Sequence, residues 1–487
     1  MTAQPLIIDL ATEADTTQLG QALARMLGAG DCVLLEGSIG AGKSHLARAL
    51  IRALRDPDEE VPSPTFTLVQ TYPGQPDIWH ADLYRLIHPD EVHELGLEAA
   101  FPDSICLIEW PDRLGRYAPE NPIHLRLDTK GDGRVADIWL GARPDSFGAA
   151  LLAHLRALKA AAFLAQAGWE QARVEPLAQD ASARQYTRLF GQGTAIFMDA
   201  PPGQADSVAD FVKVDDHLLS LGLSAPKILA QDVAQGFLLL EDLGDGLYPA
   251  SVAANPAQEV GLYEAATDVL VHVQSYPPAA NLPDLLAQDW AESAGLVADW
   301  YAMAITGAAQ GRAEIAASLA QTLTLLADGP RVMILRDYHA ENLLYLPERA
   351  GLARVGVLDF QLAQMGQPAY DLVSLLQDAR RDVPPQIEAA MIARFATAGG
   401  FDLAAFQASY AALGALRALR ILGIFARLCL AEGKPKYLDL IPRVWAQLQE
   451  NLSHPALSDL RTVCTRFLPA PDPSALQKMR AQCKPSP

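Results

Sequence analysis

Along the first 150 residues, apolar positions recur in two alternating rhythms. Cys32-Val33-Leu34-Leu35-Glu36 is a short continuous apolar run of the kind found in strands buried on both faces. A glycine-rich segment follows it. From Ser44 to Leu54 the apolar positions Leu46, Ala47, Leu50, Ile51 and Leu54 take helical spacing. Ile105-Cys106-Leu107-Ile108-Glu109-Trp110 is a second candidate for a buried strand. Ile123 to Leu127 and Val135 to Leu140 alternate in period two on either side of Gly131-Asp132-Gly133, which predicts a hairpin. Strand, glycine loop and helix followed by further strands predict an α/β sheet.

The rhythm then changes. The Ala- and Leu-rich stretch from Ala149 to Ala167 predicts a helix that joins this domain to a second one. Strands resume at Gln185 to Phe190 and Ala195 to Met198, and Phe237 to Gly244 reads as a strand running into a hinge. From about residue 255 the pattern is helical. A small β-rich lobe followed by a large helical lobe is the plan of a two-lobed kinase-like α+β fold. Residues 469–487 carry five prolines and read as a loose tail. The expected organisation is therefore an α/β domain over 1–148, a linking helix over 149–168, a two-lobed domain over 169–468 and a tail over 469–487.

Composition sharpens this picture in three ways. A chain of 487 residues, half of them hydrophobic, is long enough for several cores. The net charge is −20; residues 1–150 hold 12 Lys and Arg against 23 Asp and Glu, and the remainder 26 against 35. Neither part has the field of a nucleic-acid binder, so any nucleic acid is expected to be held by a partner. No run reaches the ~18 uninterrupted apolar residues of a membrane span. The N-terminus lacks a basic region followed by a long apolar stretch, and the five cysteines are scattered, with no zinc-like spacing. Reduced thiols in a cytoplasmic protein away from membranes are the expectation.

Two motifs carry chemistry. The first is Gly37-Ser38-Ile39-Gly40-Ala41-Gly42-Lys43-Ser44, a complete G-x-x-x-x-G-K-[ST] phosphate loop. The backbone of Gly37, Gly40, Ala41 and Gly42 would turn N–H groups toward phosphate oxygens, helped by the positive end of the following helix. Lys43 would reach the β- and γ-phosphates of ATP, and the Ser44 hydroxyl would ligate Mg²⁺. Around the loop stand Ser63-Pro64-Thr65-Phe66-Thr67, His80-Ala81-Asp82-Leu83-Tyr84-Arg85, Glu94-Leu95-Gly96 and the Glu109-Trp110-Pro111 that ends the second strand. This ordered set closely resembles the TsaE family over about residues 5–140. That family supplies the ATPase subunit for making threonylcarbamoyladenosine in tRNA. The resemblance implies ATP and Mg²⁺ as cofactors and Ser44 with Glu109 as metal ligands. It implies Thr65 as a switch residue sensing the γ-phosphate, Asp82 positioning metal or water, and Trp110 stacking at the nucleotide. More loosely, Glu13 and Gly133 would line the adenine end. Asp82 as a turn cap and Trp110 as plain core are the structural alternatives. The partners implied are the other subunits of the threonylcarbamoyl-transfer complex, with tRNA contacted only indirectly.

The second motif is Leu335-Arg336-Asp337-Tyr338-His339-Ala340-Glu341-Asn342, followed by Leu358-Asp359-Phe360. Its spacing is that of a kinase core, in which Asp337 would accept the substrate hydroxyl proton and Asn342 with Asp359 would hold metal. This half resembles the aminoglycoside phosphotransferase family over about 165–465, and within it the kinases that phosphorylate N-acetylmuramate and N-acetylglucosamine at C1. The supporting stretches are Asp180 to Leu189, Met198-Asp199-Ala200-Pro201-Pro202, Leu238 to Gly244, Gly366 to Leu372 and a helix from Leu416 to Leu430. The strand expected to end in a phosphate-pairing Lys ends in Met198, so Ser182 and Arg184 are candidates for phosphate contacts. Glu241 to Leu243 would offer backbone groups to adenine. Asp299-Trp300-Tyr301 is a candidate wall of a sugar pocket, with helix packing as the alternative. A pseudokinase docking module and an aminoglycoside- or choline-type kinase remain competing readings.

Overall fold

The run Cys32–Glu36 forms a central strand with neighbours on both sides and cover on both faces. In this computed structural model, residues 4–177, 184–204 and 207–484 are described. They divide into two units, Met1–Glu170 and Gln171–Pro487.

The first unit is a seven-stranded sheet. Its strands are β1 (Leu6–Leu10), β2 (Cys32–Glu36), β3 (Val69–Tyr72), β4 (Ile78–Asp82), β5 (Ile105–Glu109), β6 (Ile123–Lys130) and β7 (Gly133–Trp139), in the order β1-β7-β6-β2-β5-β4-β3. The pairs β6–β2, β2–β5 and β5–β4 are parallel; β1–β7, β7–β6 and β4–β3 are antiparallel. The helices are α1 (Glu13–Ala24), α2 (Lys43–Leu54), the short α3 (Glu91–Glu94) and α4 (Leu97–Ala100), and α5 (Asp145–Gln166). Strand period divides the core into two layers. Val33, Leu35, Ile105 and Leu107 pack with Leu19, Leu46 and Leu50 on one face. Cys32, Leu34, Cys106 and Ile108 pack with Leu83, Val92 and Leu97 on the other. Each large side chain so buried contributes about 1.5–3 kcal/mol, which is why the central strands read as continuous apolar runs.

Helix α5 begins earlier than the expected linker, at Asp145, and is not a free connection. Leu151 and Leu155 sit in the first unit's core, and Lys159 lies 3.2 Å from Asp15 of α1. Among the described residues it is the one helix long and apolar enough to cross a membrane by length and composition.

The second unit opens with a five-stranded antiparallel sheet of β8 (Arg173–Pro176), β9 (Gln185–Phe190), β10 (Thr194–Asp199), β11 (Ile228–Asp232) and β12 (Phe237–Glu241), ordered β11-β12-β10-β9-β8. Helix α6 (Val208–Ser220) packs Phe211, Val214 and Leu218 into the same core as Met198 and Leu238. The helical part carries two short strand pairs. β13 (Val332–Ile334) joins β16 (Gln364–Gly366), and β14 (Leu343–Tyr345) joins β15 (Val355–Val357). Its longest helix, Leu403–Glu432, is capped by Asp402, whose carboxylate accepts the Ala405 N–H at 2.9 Å, and ends at Gly433 in the left-handed region (φ 67°).

Two expectations are corrected at the C-terminus. Residues 473–481 are not a loose tail, and 485–487 lie outside the described residues. Pro473 opens a helix, Pro473–Ala481, after Asp472 caps it, and Met479 is fully buried. That helix packs along Leu403–Glu432, bringing the Cα atoms of Cys429 and Cys483 to 5.0 Å, within disulfide range. These two cysteines are paired as a disulfide, against the expectation of five reduced thiols, while Cys32, Cys106 and Cys464 are buried and free.

Candidate nucleotide and phosphotransfer sites

The first site lies where β2, β4 and β5 end together. Asp82 and Glu109 are register partners on adjacent parallel strands, and the loop after β2 opens beside them. Ligands in α/β sheets sit at such carboxyl ends. The loop needs its glycines for steric reasons. Gly37 has φ 139°, and a Cβ there would lie 2.4 Å from the Leu127 carbonyl oxygen. Gly40 and Gly42 also have positive φ, and Arg134 Nε donates to the Ala41 carbonyl at 2.9 Å, bracing the loop from β7.

Lys43 is almost inaccessible. Its ammonium donates to the carbonyls of Gly37 and Ser38 at 2.8 and 2.9 Å and stands 4.2 Å from the Trp110 ring centroid. Burial lowers its pKa, opposed by the charges of Glu109 and Asp82. The Ser44 hydroxyl donates to Glu109 Oε2 at 3.1 Å. The Thr65 hydroxyl donates to Asp82 Oδ2 at 2.6 Å, and the other Asp82 oxygen accepts the Tyr84 N–H at 3.0 Å. So Ser44 meets Glu109 and Thr65 meets Asp82, on strand ends that are register partners. Trp110, in the left-handed region at φ 60°, contacts Tyr84 with ring centroids 5.0 Å apart. Gly133 meets the backbone of Leu10 and Ala11, just before α1, where a Cβ would lie 2.7 Å from the Leu10 carbonyl; Glu13 is exposed on the first turn of that helix. Sequence reasoning gave no role to His80. It is buried, and its Nε2 lies 3.0 Å from Glu109 Oε1, fixing that carboxylate from behind.

In the second site, β13 and β14 flank the loop that bears Asp337 and Asn342, and Asp359 follows β15. The Asn342 amide nitrogen donates to the Asp337 carbonyl at 2.9 Å and lies 3.4 Å from Asp359 Oδ2. Gln361, where a glycine often stands, donates to Asp359 Oδ1 at 2.7 Å. Arg336 and Asp359 hold φ of 72° and 58°, an uncommon strain for residues with side chains. Arg184 is 2% exposed, with a guanidinium nitrogen 3.8 Å from Asp359 Oδ1. Ser182 lies outside the described residues. Burial raises the pKa of Asp337, as does the charge of Asp359; Arg417, Arg336 and Arg420 oppose the rise.

Asp371 is the residue whose role sequence reasoning missed. It is fully buried and accepts the N–H groups of Leu335 and Arg336 at 2.6 and 2.9 Å, so it holds the backbone that presents Asp337. Burial pushes its pKa up to about 6, opposed by those two hydrogen bonds. Glu241 ends β12 and Leu243 follows it, and the Glu241 side chain accepts from Arg349 at 2.7 Å. The trio at 299–301 does not line the site. Tyr301 is buried with its hydroxyl donating to the Pro469 carbonyl at 2.7 Å, and Asp299 pairs with Arg312. Side chains committed to the helical core are unavailable to a pocket.

A cavity of about 440 Å³ opens beside Asp337 and Asp359, within the range of small-molecule sites. Arg336, Arg380, Arg417 and Arg420 line it with Tyr370 and Asp378. Among the described residues no group of three or more His, Cys, Asp or Glu could hold a metal by itself. Mg²⁺ takes one or two protein oxygens and completes its shell with phosphate and water. Ser44 with Glu109, and Asn342 with Asp359, would be its holders.

Comparison with known proteins agrees with this division. Residues 10–136 match the family described as threonylcarbamoyl adenosine biosynthesis protein TsaE, and residues 173–409 match the phosphotransferase enzyme family. The TsaE protein of Rickettsia conorii is 42% identical over 120 residues, covering 24% of this chain and 69% of that protein. The N-acetylmuramate/N-acetylglucosamine kinase of Caulobacter vibrioides is 39% identical over 363 residues, covering 63% of this chain and 96% of that protein. The kinase of the same name from Pseudomonas aeruginosa is 35% identical over 309 residues, covering 60% and 89%. The chain therefore belongs to two families at once, to TsaE through its α/β unit and to the N-acetylmuramate/N-acetylglucosamine kinases through its two-lobed unit.

Proposed function

We propose that this is a bifunctional ATP-using protein. Its first unit serves as the ATPase subunit for threonylcarbamoyladenosine modification of tRNA. Its second unit phosphorylates an amino sugar of the N-acetylmuramate/N-acetylglucosamine class on the anomeric hydroxyl.

For the first unit, the observation that carries the reading is the convergence of Lys43, Ser44, Glu109 and the Thr65–Asp82 pair at one strand end. In this reading the loop amides and Lys43 bind the phosphates of ATP, and Thr65 registers whether the γ-phosphate is present. Mg²⁺ held at Ser44 and Glu109 would offset phosphate charge. Partner subunits hold the tRNA, in keeping with the acidic balance of this unit. Ile39, Phe66 and Ile87, 74%, 85% and 77% exposed, sit on the segments that frame the site and suit contact with another protein. The test is mass spectrometry of tRNA nucleosides in cells depleted of their own ATPase subunit. The full chain should restore threonylcarbamoyladenosine and its Glu109→Ala form should not; rescue by that form would remove Glu109 from the mechanism.

For the second unit, the carrying observation is Asp337 at the edge of the cavity, on a loop fixed by Asp371. The sugar oxygen attacks the γ-phosphorus, the bond to ADP breaks, and the hydroxyl proton passes to Asp337. The anomeric hydroxyl is the most acidic on the ring and suits a carboxylate base. Mg²⁺ at Asn342 and Asp359 would offset charge on the transferring group, and Arg184, 3.8 Å from Asp359, would supply a positive charge in place of the missing lysine. The intact Asp337, Asn342 and Asp359 argue against a pseudokinase. The cavity sets four arginines against three aspartates, two of them assigned to the base and the metal, which argues against cationic aminoglycosides or choline.

A further inference from the structure

Arg417 and Arg420 stand one turn apart on the helix Leu403–Glu432, and both line the cavity that contains Asp337. Arg380, on the same cavity, is already engaged by a carboxylate, with Glu341 Oε2 at 2.9 Å from its Nε. The direct hydrogen bonds and ring contacts of Arg417 and Arg420 are to neutral groups, although both charges also act on Asp337 and that of Arg417 on Asp371 and Asp378. Arg417 donates to the Arg336 carbonyl at 3.3 Å and lies 5.1 Å from the Tyr370 ring centroid. Arg420 donates to the Tyr370 hydroxyl at 3.0 Å and lies 5.1 Å from the Trp290 ring centroid. The Nε of each is buried without a hydrogen-bond partner among the described residues. The nearby carboxylates have other work: Asp371 holds two backbone N–H groups, Asp378 accepts the Arg380 N–H at 2.8 Å, and Asp337 is the proposed base. Beyond the pair the same helix turns apolar, with Ile421, Ile424 and Phe425 on the cavity wall.

A guanidinium is a five-donor fork that matches a carboxylate in shape and charge. Two of them, i and i+3 on a rigid helix beside an apolar wall, make a receptor for an acid carried on an apolar stem. The two sugars in the relatives' name differ by one such group. N-acetylmuramate is N-acetylglucosamine with a lactic acid joined through an ether at O3. We propose that Arg417 and Arg420 form a carboxylate clamp in the acceptor pocket, so that this chain selects the acid-bearing sugar over the neutral one. The inference rests on the sugar-kinase reading above and adds its specificity.

The test compares kcat/KM of the full chain for N-acetylmuramate, its methyl ester and N-acetylglucosamine, at saturating Mg·ATP. The ester keeps the bulk of the acid and removes its charge. The acid should exceed both neutral sugars by about tenfold to a hundredfold, the worth of a charge-assisted contact, and the difference should lie in KM. In Arg420→Gln and Arg417→Gln the acid-to-ester ratio should fall toward one, and Arg420→Lys should recover part of it. A ratio reports the clamp even where a variant is only partly folded; the unsubstituted chain decides the matter if neither variant folds. Equal use of acid and ester by the unsubstituted chain overturns the clamp and leaves the sugar-kinase reading standing. So does a raised KM for ATP with the ratio intact, which would assign the pair to the nucleotide. Failure to phosphorylate any of the three overturns both.

Discussion

The two units grip a nucleotide by different means. In the first, one strand and one loop make the proposed phosphate site: backbone amides between Gly37 and Ser44 would do the binding, and the side chains that would finish it arrive at the ends of neighbouring parallel strands. In the second, side chains do nearly everything. Asp337 and Asn342 sit on the connection from β13 to β14 and Asp359 on that from β15 to β16, Arg184 comes from the β-rich part far earlier in the chain, and Asp371 supports the loop from behind. A backbone site tolerates little change of shape, because its atoms have nowhere to go. A side-chain site tolerates replacement at one position when another can reach the same charge. In the proposed site Arg184, 3.8 Å from Asp359, would supply the positive charge that Met198 does not.

This contrast can be broken most sharply at the proposed base. Asp337→Asn should lower sugar phosphorylation by about 10²–10⁴-fold while ATP affinity changes little, since the base is not a nucleotide ligand. Steady-state turnover with a separate ATP titration checks it, and Asp359→Ala should instead weaken Mg·ATP binding as well. Asp371→Asn keeps one acceptor oxygen and loses the other. About a tenfold fall in kcat with KM for ATP nearly unchanged is expected, because the loop moves while the ligands stay; equal losses in both would mean that Asp371 supports the whole fold.

The backbone site should fail differently. Gly37→Ala adds a carbon 2.4 Å from the Leu127 carbonyl at a φ of 139°, so the loop must shift away from its phosphate-binding shape. Nucleotide affinity of the first site should fall by about tenfold or more and the first unit should lose about 1–3 kcal/mol, read by ATP titration and thermal melting. Unchanged affinity would show that the loop is not held by its backbone.

A smaller effect separates the second unit from simple packing. Asp215 on α6 is fully buried, and neither of its oxygens has a hydrogen-bond partner among the described residues. Burial, with the charges of Asp216 and Glu241, raises its pKa from 3.8 to about 7. Between those two values the folded chain keeps a proton that the unfolded chain has released. Stability from this group is therefore present below the lower value, declines as pH rises toward about 7, and is flat above it. Asp215→Asn should flatten melting temperature against pH across that window, with at most about 4 kcal/mol at stake. A variant with the same slope as the parent chain would assign the pH dependence elsewhere.

What the sequence disclosed follows the same contrast. The loop at 37–44 is legible because its glycines are a direct record of backbone angles. Asp337, Asn342 and Asp359 are legible because a short loop and the β14–β15 hairpin fix their spacing. Arg417 and Arg420 are not, since they reach the site from a helix of 30 residues whose pattern is dominated by burial. His80 and Asp371 sat inside quoted motifs, but their partners, Glu109 and the backbone at 335–336, appear only on folding. The C-terminal prolines misled because one of them starts a helix, a position that proline favours. Tyr301 and its neighbours misled because aromatic residues in a helix more often fill a core than a pocket.

The central claim is that one chain carries two separate ATP-using sites, the second a kinase for an anomeric hydroxyl. Phosphorus NMR tests it on full-length protein incubated with N-acetylmuramate and Mg·ATP. The Lys43→Ala chain should still give a sugar phosphate whose phosphorus is coupled to the anomeric proton, and the Asp337→Asn chain should not. A phosphate on C6, or loss of the product in Lys43→Ala, would contradict the account.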